Sequence, residues 1–230
     1  MARTIVVPFA FPDPEPLPES LIETLRPLDV VLFAHHDPDG TTEAMDEATF
    51  EREAKATLYE TAADLVRSGG DADIQLFYGP DEDVRDRMAA DAILVPRPVT
   101  TVGRFLVPLR DDRTAGQVAD LVGDLSPDAV AHLTLLHVVD DEEAVDEGDR
   151  LLRDAMGDLR EAGISQAAID TDVIVDDDAP EVIARESNDY DAIVMGETAE
   201  DADRDLGRTY DRVAAASDRP VIVVRRRSST

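Results

Sequence analysis

The chain has 230 residues, 43% of them hydrophobic, no cysteine, and 22 Lys+Arg against 52 Asp+Glu, a formal net charge of −30. The apolar fraction excludes wholesale disorder, and the missing cysteine excludes disulfide frameworks, thiolate metal sites and cysteine nucleophiles. No apolar run approaches the ~20 residues needed to span a bilayer, and the N-terminus meets acids and prolines too early for a signal peptide. Nucleic-acid binding is disfavoured, because no basic patch offsets the acid. Thirty-five of the acids are Asp, and Lys55 is the only lysine. That choice of residues reads as a cytoplasmic protein adapted to molar salt, where short Debye lengths quench self-repulsion.

Ile5-Val6-Val7-Pro8 opens the chain as a short continuous apolar run, the form of a strand buried on both faces of a parallel sheet. Leu21, Ile22 and Leu25 mark a short helix, and Val30 to Phe33 a second strand. Phe50, Ala54, Leu58, Ala62 and Leu65 recur at helical spacing, closed by Gly69-Gly70. Ile74 to Phe77 and Asp91 to Val95 follow as the third and fourth strands. After the loop from Pro96 to Gly103 the series restarts. Phe105-Leu106-Val107-Pro108 repeats Ile5 to Pro8, and Asp191-Ala192-Ile193-Val194-Met195 repeats Asp91 to Val95, both at an offset of 100. Between them, Thr134 to His137 matches Val30 to Phe33, and Val173 to Val175 matches Ile74 to Phe77. Helix stripes fall at Val118, Leu121, Val122 and Leu125, and at Leu152, Ala155, Met156 and Leu159, the latter closed by Gly163. The second series alone continues, with a helix through Leu206, Tyr210, Val213 and Ala214 and a fifth strand at Val221 to Val224.

Alternating strands and helices with right-handed crossovers imply an open α/β sheet. The expected organisation is a truncated unit over residues 1–101 and a complete one over 102–230. The two sheets are expected to pack so that each half covers the other. Val221 to Val224, read as a sheet edge, would then be covered by the first half or pair in a homodimer.

The order Phe105 to Leu109, Leu133 to Val139, Asp191 to Gly196, Gly207, Arg212-Val213 and Arg219 to Val224 resembles the universal stress protein family, in a tandem arrangement. The resemblance implies two flavodoxin-like, adenine-nucleotide-α-hydrolase-like open parallel sheets of order 3-2-1-4-5, the first copy degenerate. It also implies an ATP site at the carboxyl ends of strands one and four, with an aspartate after strand one and a G-x-x-G-x9-G-[ST] loop on the phosphates. Carried onto this chain, the degenerate site is Gly196, Gly207, Arg208 and Thr209. Arg110 stands at the aspartate position, Ala199 at the second glycine, and Arg208 at the hydroxyl position. The first half places Ala10 and Pro96 there, and is expected to bind no nucleotide.

His35-His36-Asp37-Pro38-Asp39-Gly40 superficially resembles the opening motif of DHH-type phosphoesterases, but a companion Asp-His-His is missing. His137, between Leu136 and Val138, reads as a hydrogen-bonded core histidine. The acids between Gly196 and Gly207 read as surface decoration. The leading reading is a non-enzymatic stress-response protein without catalytic or metal-binding residues, acting on a second copy or another protein, with weak or no nucleotide binding. An ATP-binding sensor or slow ATPase using the second half is the alternative. A metal-dependent phosphoesterase at His35 to Asp39 is the remote one.

Overall fold

The computed structural model describes residues 2–38, 45–80, 90–197 and 208–225. Strands β1 (Thr4–Ala10), β2 (Asp29–His36), β3 (Asp71–Tyr78) and β4 (Ala92–Val95) form the first half. Helices α1 (Glu19–Leu25) and α2 (Glu47–Ser68) connect its first three strands. The second half runs β5 (Arg104–Pro108), α3 (Asp112–Asp124), β6 (His132–Val139), α4 (Val145–Glu161), β7 (Ile169–Val175), α5 (Ala179–Glu186), β8 (Ala192–Gly196), α6 (Arg208–Ala216) and β9 (Val221–Val224). Residues 81–89, between β3 and β4, and Leu206 lie outside the described residues.

All nine strands belong to one sheet, ordered β3-β2-β1-β4-β9-β8-β5-β6-β7. The second half has the expected order 3-2-1-4-5, and the first half is 3-2-1-4. The two sheets are therefore not stacked on each other as the sequence suggested; they are joined edge to edge. Nor is β9 an edge. It pairs parallel with β8 and antiparallel with β4, so one strand is the fifth member of both halves. Every other pairing is parallel. Because direction reverses between β4 and β9, the strands of the two halves end at opposite ends of the sheet. The end of β4 thus lies on the same side as the start of β5, which the short segment from Pro96 to Gly103 can reach.

Register corrects two of the repeat matches. Ile5 lies beside Val30 and Ala92, and Phe105 beside Leu133 and Ala192. Val30 is thus equivalent to Leu133, one residue before the match read from sequence. Ala72 pairs with Val30 and Ile169 with Leu133, so Leu76, not Ile74, is the counterpart of Val173. A one-residue slip exchanges the two faces of a strand, so the first correction decides which side chains meet the helices.

One face carries Ile5, Val7, Leu32, Leu94, Ile222, Val194, Phe105 and Leu135 under α1 to α4 in a continuous core. The seam between halves is closed there by Leu21 and Leu25 of α1 with Leu121 of α3 and Leu125 just after it, all 2% exposed or less. Arg3 adds ion pairs to Asp120 at 2.6 Å and Asp124 at 2.8 Å, and the Ser126 N–H donates to Thr24 O at 3.0 Å. The opposite face carries Val6, Ile93, Leu106, Ile193, Val221 and Val223 with α5 and α6. Asp178 caps α5 through the Glu181 N–H and reaches Arg212 of α6 at 2.5 Å. Arg212, and then the Glu181 N–H, hold its carboxyl below the usual range.

The repeated aspartates have a repeated task. Asp91 Oδ2 accepts the Thr4 N–H at 3.1 Å, and Asp191 Oδ2 accepts from Gly103 and Arg104 N–H at 3.0 and 2.8 Å. Each fastens the start of its fourth strand to the start of its first. Both long helices end as read, with Gly69 at φ 92° and Gly163 at φ 99°.

Gly148 lets α4 lie close to the sheet. A Cβ there would sit 2.7 Å from His137 Cδ2 and 3.1 Å from Val173 Cγ1. The His137 ring is held, because its Nδ1–H donates to Leu109 O at 2.7 Å. Gly148→Ala is expected to destabilise the protein. Overpacking costs about 1–3 kcal/mol, against about 1 kcal/mol gained from helix propensity. Urea melts of the two proteins in the same buffer would show a lower midpoint; a raised midpoint would mean the contact relaxes freely.

Candidate functional site

Open α/β sheets place ligands at the carboxyl ends of the strands where the strand order reverses. In the second half that point lies between β5 and β8. After Pro108, the Leu109 N–H continues the ladder to Leu136 O at 2.8 Å, and Arg110 leaves the sheet on an exposed position before α3 begins. Gly196 ends β8 on the other side of the crevice. A Cβ built on Gly196 would meet Thr114 Oγ1 at 2.5 Å and Thr114 Cβ at 2.8 Å. The bare glycine therefore accommodates a side chain from the first turn of α3.

Thr114 is the residue that sequence reasoning missed. A strand-ending glycine signals close approach by something. Its sequence gives no way to tell a phosphate from a threonine arriving on α3.

Glu197 was read as part of an acidic surface loop, yet its side chain is only 13% exposed and lies 4.0 Å from Arg225 Nε. Its N–H donates to Val224 O at 2.8 Å, and the Arg225 N–H donates to Asp91 O at 2.8 Å. The segment after β8 is thus sewn to the end of β9 and, through it, to the first half. Alternation along the strand puts Glu197 on the face of Met195, opposite the face on which Gly196 meets Thr114, so its carboxylate serves the pairing with Arg225.

Arg208 and Thr209 open α6, and Gly207 and Ala199 lie outside the described residues, as do Glu200, Asp201, Asp203 and Asp205. The structure accordingly brings Gly196 to the switch point together with Thr114 and Arg110. It does not define a glycine loop there.

The corresponding end of the first half is filled differently. Phe11 follows β1, is 5% exposed, and packs edge-on to Phe50 at 5.5 Å. His36 stacks on Phe50 at 6.0 Å and lies 5.7 Å from the Tyr78 ring. Its Nδ1–H donates to Phe11 O at 2.9 Å, the same device that His137 uses on Leu109. Among the described residues, His36 Nε2 is buried without a hydrogen-bond partner. His35, its neighbour, points to the other face beside Phe33, as strand alternation requires. The two imidazoles of the phosphoesterase-like motif thus diverge, and no group of three or more metal-binding side chains forms among the described residues. Asp39 and Gly40 lie outside them.

The sequence profile of the universal stress protein family matches residues 101–225, more than half of the chain. The chain belongs to the universal stress protein family. The solved structure of a universal stress protein from Archaeoglobus fulgidus DSM 4304 is similar over both halves, at 15% identity and a TM-score of 0.62. It covers 97% of this chain and 96% of that one. A putative universal stress protein from Pseudomonas aeruginosa UCBPP-PA14 is 14% identical with a TM-score of 0.54, covering 97% and 93%. A functionally unknown protein from Pseudomonas aeruginosa PAO1 is 14% identical with a TM-score of 0.52, covering 98% and 93%. At such identities the likeness concerns the fold alone. No curated protein matches. This universal stress protein also has, among its described residues, no helix long and apolar enough to cross a membrane.

Proposed function

We propose that this universal stress protein acts in the cytoplasmic stress response by association, with itself or with another protein, and without turning over a nucleotide. The observation that carries the reading is Thr114 seated on Gly196, where a nucleotide-binding relative would need bare backbone. A further feature supports it. Arg110 offers five donors and no acceptor at the position expected to read adenine. Losing such a contact costs about 1–3 kcal/mol, a factor of roughly five to 150 in affinity.

The two halves, 1–101 and 102–230, are on this reading a degenerate and a complete copy of one unit. The first serves chiefly to complete the sheet. The second reading, an ATP sensor, rests on Gly196 with the α6 start at Arg208 and Thr209 nearby.

Isothermal titration with Mg-ATP in about 2 M KCl, a salt at which the Debye length is under ~3 Å, separates the two. No heat of binding at micromolar concentrations and no phosphate release are expected. A micromolar isotherm weakened by Arg208→Gln would place the sensor reading first. Thr114→Gly serves as the converse arm: if Thr114 is the obstacle, clearing it should improve whatever residual affinity exists.

A further inference from the structure

The longest helix presents two opposite stripes. Phe50, Ala54, Leu58 and Leu65 face the core, each 2% exposed or less. Directly opposite run Arg52, Ala56, Tyr59, Ala63 and Val66, every one exposed to solvent. Tyr59 is 62% and Val66 59% exposed, the two most exposed large apolar side chains among the described residues. The stripe contains no acid, in a chain where 52 of 230 residues are acidic. Bases lie on or beside it, each beside a carboxylate on the same helix: Arg52 with Glu53 at 3.6 Å, Lys55 with Glu51, and Arg67 with Asp64. The face is therefore apolar and close to neutral. The outward side of α4, by contrast, exposes Glu147, Asp149, Asp154 and Asp158.

We propose that this face of α2 is the self-association surface of the protein, pairing antiparallel with α2 of a second copy about a two-fold axis at Tyr59. Two arguments select a second copy as the occupant. One is charge: two molecules of formal charge −30 repel everywhere except where each offers a patch without net charge. The other is self-complementarity, which a two-fold contact demands. Arg52 and Val66 each lie seven residues from Tyr59, so pairing centred on Tyr59 sets Arg52 against Val66 of the partner subunit. The small Ala56 and Ala63 flank the centre, permitting an interaxial distance near 8 Å. The sheet offers no competing route, because β9 is interior and the outer strands β3 and β7 expose Asp71, Asp73, Asp170 and Asp172. A contact along one helix of 22 residues, about 33 Å, falls at the small end of stable interfaces, so the dimer should be weak and concentration-dependent.

This inference deepens the association reading above by naming the partner and the surface. Sedimentation velocity in about 2 M KCl, from roughly 10 µM to 1 mM, should show a monomer–dimer shift, weakened at least about tenfold by Tyr59→Glu and retained by Tyr59→Phe. The cysteine-free chain allows a sharper geometric test. Tyr59→Cys should form a disulfide dimer on mild oxidation. Arg52→Cys and Val66→Cys should cross-link only when mixed. A monomer at every concentration, a dimer indifferent to Tyr59→Glu, or cross-linking of Val66→Cys with itself overturns the surface. ATP binding measured separately would overturn the functional reading while leaving the surface standing, so the two failures are distinguishable.

Discussion

Raising KCl from about 0.1 M to about 2 M is expected to lift the melting temperature by tens of degrees, because the Debye length falls from about 10 Å to a few ångströms. The formal charge of −30 is not evenly spread. Asp140 to Glu143 is a run of four acids, and Asp176 to Asp178 a run of three, so neighbouring carboxylates sit well within one low-salt Debye length. Screening also weakens the favourable pairs, such as Arg3 with Asp120 and Asp124 across the seam. Exposed pairs contribute only about 0–1 kcal/mol each, however, and they are outnumbered by the acids. Repulsion should therefore dominate the balance, and salt should stabilise. A melting temperature that stays flat, or falls, across that range would remove the argument from composition to a salt-rich interior.

Cutting the chain after Arg219 is expected to abolish cooperative folding of the entire protein. Ile222 is fully buried, flanked in register by Leu94 of β4 and Val194 of β8, and Val221, Val223 and Val224 are each 3% exposed or less. Removing β9 would leave two facing sheet edges unpaired at once and open the core to solvent from the middle. A milder variant grades the effect. Ile222→Ala should cost about 2–5 kcal/mol and preserve a single transition, since one core runs through both halves. Calorimetry that shows two separate transitions, or a residue 1–219 chain that melts cooperatively, would mean that the halves are independently stable.

Much of this architecture could be read from residue patterns. Continuous apolar runs located the strands, four-residue steps located α2, and Gly69 and Gly163 ended helices in the left-handed conformation expected of them. Periodicity reports which side of an element is buried. It says nothing about which edge of a sheet meets which. The first half's lack of a fifth strand was visible, but that β9 would supply it antiparallel was not. The slip of one residue between Val30 and Leu133 has a similar origin, since in Leu133 to Val139 the polar Thr134 and His137 stand three apart and carry no period-two signal to set the register. At the switch point, Gly196 was legible as a place of close approach. Thr114 was not, because its contact depends on how α3 leaves β5 and not on any motif.

The shared strand also bears on how the protein comes into being. β9, residues 221–224, follows every other described strand in chain order. A ribosome working from the N-terminus makes β1 to β4 first, then must produce every remaining strand before the partner of β4 exists. Throughout that interval the hydrogen-bonding edge of β4 has no permanent neighbour. Folding of the first half thus waits on the last strand of the second, and a ribosome that stalls or stops before residue 221 leaves the β4 edge bare.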